Sequence, residues 1–479
     1  MSKLSTSKPK LYKTLVTSVL ALSLSACATV GPDYQAIEHE SNDLSNIHGV
    51  EIGKRDAHWW KLFNDHMLNT LIEATLKNNF TLEAANANVR EAFAIYDNYQ
   101  TKDNIGGSVN ATYNDSEQLI SGILDQKTRI KFANVGANLN WDLDLFGKIK
   151  RAQQATKADA QAAQYALIDL RVSLVAETAL RYADYLNALM RARVTKKNIH
   201  SLEQTRDVIA QRAKEGFSSQ LDLNRVDAEL FGLKATLPEF TATAERARQA
   251  LLVLTGNTIE INISEERDLN ATYPSLKHPV AIGNPRDLLR QRADVANAEQ
   301  QLAAATARIG VARADLYPNI SISGFLGFIT NDSLRFNSDS TAWSIAPTLS
   351  WNVFDLKSIN AGIDVANARQ QGALAEFKQQ VVEALSEAEV ALSNYKATQI
   401  RQDLLKQQLN ASNKSLEIST EQFNEGVIDI LSLLDVRRTQ LSAEDTLVQA
   451  KSQNFSAMIT IYLSFGGGVS SAPENSSRN

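Results

Sequence analysis

Residues 135–143 read VGANLNWDL, in which apolar side chains alternate with small or polar ones. A period of two predicts a β-strand with one apolar face, because successive side chains of a strand point to opposite faces. Residues 343–351 read WSIAPTLSW and repeat the pattern. Weaker strands precede both segments, so the sequence predicts two hairpins with polar loops. The partner strands are expected at about 108–113 and 319–328, and the loops at about 114–129 and 330–340.

Long helices follow both hairpins. From about Lys148 to Lys214 the chain contains no proline or glycine, and small or apolar residues recur at a spacing of three to four. At 1.5 Å per residue this helix would reach roughly 100 Å. A second long helix is expected from about Ile359 to Phe423, with Gly362 and Gly372 near its start. Shorter helices are expected at about Met67–Gln100, Leu221–Leu254, Pro285–Leu316 and Ile430–Leu463.

The two halves of the chain repeat each other at a spacing of about 210 residues. Each half is expected to contain a helix, a hairpin, a long helix, a tight turn and a further helix. The matching residues are Trp141 and Trp351, Gly216 and Gly426, Leu221 and Leu431, Leu223 and Leu433, and Gly256 and Gly466.

The predicted strands suit a membrane. Strands of about nine to eleven residues fit a tilted transmembrane strand, and tryptophans near strand ends fit an interfacial belt. A single alternating strand could equally be the edge of a soluble sandwich. Four strands cannot close a water-filled barrel, and an open edge in lipid leaves backbone groups unpaired at a cost of several kcal/mol each. The chain is therefore expected to complete a barrel with other copies of itself.

The N-terminus has the layout of a secretory signal. Lysines between Lys3 and Lys13 precede an apolar run from Leu15 to Leu24, which is too short to span a bilayer. Leu-Ser-Ala then precedes Cys27, the only cysteine of the chain. Residues 1–26 are therefore predicted to be a lipoprotein signal peptide and Cys27 the lipid attachment residue, with an ordinary buried cysteine as the alternative.

Composition excludes several function classes. The 479-residue chain has a formal net charge of −5, which gives no reason to expect a nucleic-acid partner. With 9 prolines and 21 glycines, it does not look like several domains joined by long linkers. We recognise no phosphate loop, nucleophile elbow or metal-ligand spacing, so we expect no enzyme activity, no metal and no cofactor beyond the acyl and diacylglycerol groups on Cys27. The six histidines are scattered: His39, His48, His58, His66, His200 and His278.

Several elements, in order along the chain, resemble the outer membrane factors of the TolC/NodT type. The most specific runs from Asp287 to Pro318 and includes Asp294, Arg308-Ile309-Gly310 and Tyr317, although Ala293 stands where the family usually has proline. The other elements are Val30-Gly31-Pro32-Asp33-Tyr34, Trp59-Trp60 with Phe63 and Asp65, the segment from Trp141 to Lys148, and Gly216 with Asp222-Leu223.

The resemblance implies a TolC-like channel-tunnel, mainly α-helical with a transmembrane β-barrel contribution and two structural repeats. It implies a homotrimer with a twelve-stranded barrel in the outer membrane and an α-helical barrel in the periplasm of a Gram-negative bacterium. The number of copies follows from the resemblance alone. Ala28 follows Cys27 where bacterial lipoproteins kept in the inner membrane have Asp, which also favours the outer membrane.

The resemblance also assigns candidate site residues at the periplasmic tip. Leu431 corresponds to an apolar constriction, and Asp435 with Arg438 to a polar lock that holds neighbouring helices together. The alternative for Asp435 and Arg438 is an ordinary solvated i,i+3 pair, worth a few tenths of a kcal/mol. The remaining candidates are the tip turns at Gly216 and Gly426, and Asp222 and Asp429 as lumen charges or adaptor contacts.

The expected function is that of an outer-membrane channel in a tripartite efflux system. Small molecules or drugs would reach it from a periplasmic adaptor, or membrane fusion, protein and an inner-membrane pump, which we expect to be proton-driven. One alternative is the outer-membrane duct of type I protein secretion, although Cys27 and the Trp141 to Lys148 element favour efflux. A second alternative is a structural envelope lipoprotein, for which strands with a lipid-compatible face would have no use.

The expected organisation follows the repeat. It comprises the signal peptide (1–26), a lipid-anchored segment (27–66), the first repeat (67–270, hairpin about 106–143, long helices about 148–254), a linker (271–284), the second repeat (285–466, hairpin about 318–353, long helices about 357–463) and a C-terminal tail (467–479).

Overall fold

The structure, a computed structural model, describes residues 29–37, 50–53, 56–119, 127–261, 273–276, 279–282, 288–330, 336 and 338–467. The predictions for the signal peptide, Cys27, parts of the linker and the tail beyond residue 467 lie outside these residues.

Helices make up most of the described chain. A short 3₁₀ helix, Trp59–Phe63, precedes the first of them. The α-helices are α1 (His66–Asn78), α2 (Phe80–Gln100), α3 (Lys148–Lys214), α4 (Gln220–Leu254), α5 (Leu288–Gln291), α6 (Ala293–Ala314), α7 (Leu356–Asn424) and α8 (Ile430–Ser464).

The two long helices are confirmed. Helix α3 has the predicted bounds and contains 67 residues, and α7 contains 69. The helix predicted from Met67 to Gln100 is instead divided at Asn79, whose backbone is extended. The Asn79 side chain accepts hydrogen bonds from the backbone N–H groups of Thr81 and Leu82, so it caps α2 and ends α1. Among the described helices, none combines the length and apolar character needed to cross a membrane.

The strands form two sheets. They are β1 (Val50–Ile52), β2 (Gly106–Leu119), β3 (Lys127–Leu143), β4 (Val280–Ile282), β5 (Asn319–Thr330) and β6 (Thr341–Ser350). Strands β1 and β4 pair in parallel, and the other four form an antiparallel sheet in the order β2-β3-β5-β6. Both predicted hairpins are confirmed, and β3 and β5 join them into one sheet.

The first hairpin has the predicted outer bounds, but its strands are longer and its loop is shorter than predicted. Residues 114–129 were expected to form a polar loop, but the β2–β3 ladder continues to the pair Leu119 and Lys127. Within the extension, Arg129 donates two hydrogen bonds to the carboxylate of Asp115, at 2.7 and 2.6 Å. An opposite-charge pair across adjacent strands stabilises such a ladder without apolar side chains, and the hydrophobic pattern therefore did not reveal it.

The chain forms two compact units, each built from separate segments. The first lies within Met1–Ile37, Asn88–Gln164 and Asn297–Lys378 and contains the four-stranded sheet. The second lies within Glu38–Ala87, Tyr165–Ala296 and Gln379–Asn479. Its core includes Trp59, whose ring stacks on Tyr462 with the centroids 4.8 Å apart.

Candidate functional site

The four-stranded sheet has two chemically different faces. Residues paired across antiparallel strands point to the same face, and the registers place apolar side chains of all four strands together. Val109 is 82% exposed and Trp343 73%, so this face is uncovered in a single chain. An exposed apolar face of this size marks a surface that contacts lipid or another protein. Its members are Val109, Ala111, Val135, Ala137, Leu139, Trp141, Leu143, Ile320, Ile322, Leu326, Phe328, Trp343, Ile345, Pro347 and Leu349.

The opposite face is mainly polar. It carries Ser, Thr, Asn and Asp side chains, and Asn138 donates to Asn110 across the first hairpin at 2.6 Å. Phe132 and Phe325 are large aromatic exceptions on this face, and the ring of Phe325 lies against Gly136, where a Cβ would come within 2.6 Å of it. A sheet that is polar on one face and apolar on the other can separate water from lipid.

Tryptophans mark the end of the sheet that leads into the helices. The indole N–H of Trp141 donates to the carbonyl of Asp103 at 3.1 Å, and that of Trp351 donates to the carbonyl of Leu316 at 3.0 Å. Both rings keep an exposed apolar part while their polar atom is satisfied. This combination suits a membrane–water boundary.

The turns at Gly216 and Gly426 connect α3 to α4 and α7 to α8. Their φ angles are +79° and +77°, and the N–H of the residue after each glycine donates to a carbonyl five residues earlier at 2.8 Å. This is the Schellman arrangement, which favours glycine because a side chain is strained at positive φ. The repeat thus builds the same chain reversal twice.

Asp222 and Asp429 cap the helices that leave these turns. Asp222 accepts hydrogen bonds from the N–H and hydroxyl of Ser219, whose own oxygen accepts from the N–H of Asp222. Asp429 is itself the N-cap of α8 and accepts from the N–H of Ser432 at 2.9 Å. Hydrogen bonds from Ser432 lower the pKa of Asp429. Both carboxylates are thus engaged at helix N-termini, which they stabilise.

Four large apolar side chains lie exposed at the same turns. Phe217 and Val427 directly follow the two glycines, and Leu221 and Leu431 lie in the first turns of the next helices. They occupy equivalent positions of the two repeats. We call these four residues the tip quartet. Exposed apolar groups at the turns of two helical hairpins point to a docking or constricting role.

Ion pairs join the helices behind the tip quartet. Arg438 on α8 binds Glu229 on α4 at 2.8 Å, and this hydrogen bond and charge raise the pKa of Arg438. Asp435 has no ion-pair partner among the described residues. Within one chain, Arg438 therefore joins α8 to α4 through Glu229, which lies in the other half of the sequence, and the lock role of Asp435 with Arg438 stays a prediction. The further pairs are Arg206 with Asp227 and Lys234 with Glu203, which join α3 to α4.

The sequence does not predict the roles of two residues in this region. Glu229 was missed because helical spacing identifies neighbours along one helix and not across two. Arg437 was missed because it reads as a surface charge beside Arg438, yet its side chain is buried. No group of His, Cys, Asp or Glu among the described residues is arranged to hold a metal ion.

Comparison with known proteins gives one consistent result. A sequence model described as "Outer membrane efflux protein" matches residues 71–257 and 284–467. The chain is 28% identical to the outer membrane protein OprJ of Pseudomonas aeruginosa over 94% of this chain and 95% of that protein. It is 26% identical to nodulation protein T of Rhizobium leguminosarum bv. viciae, over 95% and 93% of the two chains. The solved outer-membrane channel OprN shares 35% identity, covers 92% of this chain and 99% of its own, and superposes with a TM-score of 0.88.

Proposed function

The chain belongs to the outer membrane efflux protein family, and we propose that it is the outer-membrane channel of a tripartite efflux system. The observation that carries the proposal is the four-stranded sheet, which is apolar on one face and polar on the other. Members of the family are channels of the Gram-negative outer membrane that extend into the periplasm. In this chain the apolar face would contact lipid and the polar face would line the water-filled path.

The working form is a homotrimer. Strands β2 and β6 each have one strand partner among the described residues, which leaves two free edges on the sheet. Free edges cannot persist in lipid, because each unpaired backbone group costs several kcal/mol there. Three copies would supply twelve strands and join β6 of one copy to β2 of the next.

The tip quartet is the docking surface for the periplasmic adaptor. Apolar side chains exposed at the turns suit a protein partner, and the helix caps Asp222 and Asp429 lie beside them. Leu431 also narrows the path, and Arg438, with Asp435 close by, restrains the helices around it. A proton-driven inner-membrane pump supplies the energy, and the channel itself carries out no chemical step and uses no cofactor. Acyl groups on Cys27 tether the mature chain to the membrane.

Two measurements test the proposal. Native mass spectrometry of the detergent-solubilised protein should give a trimer. Cells that lack their own outer-membrane channels, supplied with this chain and with a compatible adaptor and pump, should accumulate less ethidium. The double variant Phe217→Asp with Val427→Asp should remain trimeric but lose this effect, because charges disrupt an apolar contact. A monomer, or unchanged ethidium accumulation with the unmodified chain, would overturn the proposal in favour of a structural lipoprotein.

A further inference from the structure

Three sequence elements to which no role has been assigned contact one another around one side chain of the first unit. They are residues 29–34, which we call the strap, Phe146-Gly147 at the start of α3, and Ile309-Gly310 in α6. The side chain is that of Arg151, in the first turn of α3, and it is only 2% exposed. Segments far apart in the sequence thus converge on a buried guanidinium.

Arg151 holds the strap by its backbone. Its Nε donates to the carbonyl of Val30 at 3.0 Å, and one terminal nitrogen donates to the carbonyl of Gly31 at 2.9 Å. The other terminal nitrogen donates to the carboxylate of Asp33 at 2.7 Å. The planar guanidinium offers five N–H donors in a fixed geometry, so lysine could not replace all these contacts.

The backbone of the strap fits its seat closely. The N–H of Val30 donates to the carbonyl of Phe146 at 3.1 Å. Gly31 has a φ of +94°, and a Cβ there would lie 2.5 Å from the Cα of Gly310. A Cβ at Gly147 would come within 2.6 Å of Thr29. Glycine at these positions is required for the approach of backbone to backbone.

The far end of the strap is also fastened. The hydroxyl of Tyr34 donates to the carboxylate of Glu299 on α6 at 2.9 Å, and burial together with this carboxylate raises the pKa of Tyr34. Six residues are therefore held at both ends and in the middle. A free tether between a lipid anchor and a channel would need none of these contacts.

We propose that Arg151 is a positioning residue that fixes the lipid-bearing N-terminus to the channel beside the junction of β3 and α3. The inference rests on the proposed lipidation of Cys27. Only residue 28 separates Cys27 from Thr29 in the sequence, so acyl groups on Cys27 would be joined to the strap through a very short stretch of chain. Thr29 contacts Gly147. A short segment separates Gly147 from Trp141, whose ring suits the membrane–water boundary. The acyl chains therefore enter the membrane next to the sheet, and sheet and anchor occupy one patch of membrane.

The first test is hydrogen exchange followed by mass spectrometry on the full-length, acylated protein in lipid nanodiscs. Arg151→Met should speed exchange of the Val30 and Gly31 amides at least tenfold while the peptides of β3 and β5 keep their protection. Arg308→Met is the matched control, because Arg308 joins the same two helices through Asp159 and does not contact the strap. It should leave exchange of the strap unchanged, and so should Cys27→Ser, because the strap is held by protein contacts.

The second test follows the lipid. Cells fed a photoactivatable palmitate should yield crosslinks from the acyl group to peptides that contain residues 141–151. In Arg151→Met these crosslinks should fall at least severalfold although mass spectrometry shows the same acylation. A residue that only stabilised the fold would not redirect the lipid in this way.

Unchanged exchange of the strap in Arg151→Met would overturn the inference, and so would wild-type crosslinks spread evenly over the protein. If Arg151→Met fails to form trimers, Arg151→Lys takes its place, because lysine keeps the positive charge but lacks the planar guanidinium that bonds several groups at once. Arg151→Lys should speed hydrogen exchange of the strap severalfold. Unchanged exchange in this variant would overturn the inference. Absence of acyl groups on Cys27 would also overturn the inference, because the inference rests on lipidation of this residue. Failure of ethidium export by the wild type would instead count against the proposed function and leave the strap measurements valid.

Discussion

Arg437 carries a buried charge that the fold does not compensate. Its side chain is 8% exposed, its Nη1 donates to the hydroxyl of Ser201 at 2.9 Å, and its Nε has no partner among the described residues. No carboxylate of the described chain lies within ion-pair distance of it, and burial lowers the pKa of Arg437. Burying a charge costs several kcal/mol, whereas one hydrogen bond returns about 1 kcal/mol.

Arg437→Met should therefore stabilise the protein, by about 1–3 kcal/mol in the free energy of unfolding. Methionine fills a similar volume without a charge. The measurement is the midpoint of chemical unfolding in detergent. Arg438→Met is the control, because the ion pair of Arg438 is solvent-exposed and its loss should change stability by less than about 1 kcal/mol. A lower midpoint for Arg437→Met would contradict the argument.

Asp169 makes stability depend on pH. It lies in a recess of about 230 Å³ with Arg292, Asp294 and Glu387. Burial first, and then the charges of Asp294 and Glu387, raise the pKa of Asp169, while Arg292 opposes them. Because the folded-state pKa lies above the unfolded value, stability is fully present below about pH 4 and is lost as the pH rises through the folded value.

Asp169→Asn should remove this loss of stability at higher pH. Its thermal midpoint should exceed that of the wild type at pH 7, and the difference should vanish towards pH 4. Asp403→Asn changes the net charge equally at an exposed position of α7 and should show no such trend. Parallel curves for wild type and Asp169→Asn between pH 4 and 7 would show that Asp169 does not contribute.

Residue partnerships were the part that the sequence predicted least well. Spacing placed Asp435 and Arg438 on one helix face, but Arg438 binds Glu229, which lies some two hundred residues earlier in the chain. Which side chains meet across two packed helices depends on the rotation and offset of both helices. Neither quantity can be read from one sequence.

At the scale of elements, the sequence predicted helices better than strands. The absence of glycine and proline from Lys148 to Lys214 defined α3 correctly, because these residues are the ones that end helices. The sequence predicts a loop for the outer part of the first hairpin because charged residues such as Asp115 and Arg129 pair there in place of apolar ones. Hydrophobic alternation identifies only the portion of a strand that has an apolar face.

The tip turns depend on glycine. Gly216→Ala and Gly426→Ala should each destabilise the chain by about 1–2 kcal/mol, because alanine is strained at positive φ. No atom lies within 4 Å of a Cβ built at either position, so the backbone alone is responsible. Gly232→Ala, inside α4 with equally open space, should instead stabilise by up to about 1 kcal/mol. Chemical unfolding of the three variants measures this, and equal effects would contradict it.

The sheet contains a coupled pair. Gly136→Ala should destabilise it by about 1–3 kcal/mol, because the new Cβ would lie 2.6 Å from the ring of Phe325 and 2.8 Å from the carbonyl oxygen of Leu326, which remains in the double variant. Adding Phe325→Ala removes the obstructing ring, so the double variant should be more stable than the sum of the two single changes implies. The heat stability of the folded sheet on denaturing gels is measured for the wild type, the two single variants and the double variant. These four values form a double-mutant cycle. Additive effects would show that the two residues do not interact.

At the scale of the whole molecule, the repeat is the most informative feature of the sequence. It predicted two hairpins, two long helices and two equivalent turns, and the structure places the tip quartet on those turns. The repeat is not exact at the helix caps. Ser219 and Asp222 form the cap of the first helix, and the equivalent positions in the second repeat are Asp429 and Ser432, so the two residue types are exchanged. The number of copies depends on contacts between chains, and among the described residues one chain shows the free edges of β2 and β6.

The most direct test of the central claim is single-channel conductance of the purified full-length protein in planar lipid bilayers. The account predicts a small conductance for the wild type and a clearly larger one for Arg438→Ala, which loses its link to Glu229. Lys414→Ala, on an exposed part of α7, should conduct like the wild type. Bilayers that stay closed with all three proteins would contradict the claim that this chain forms a channel.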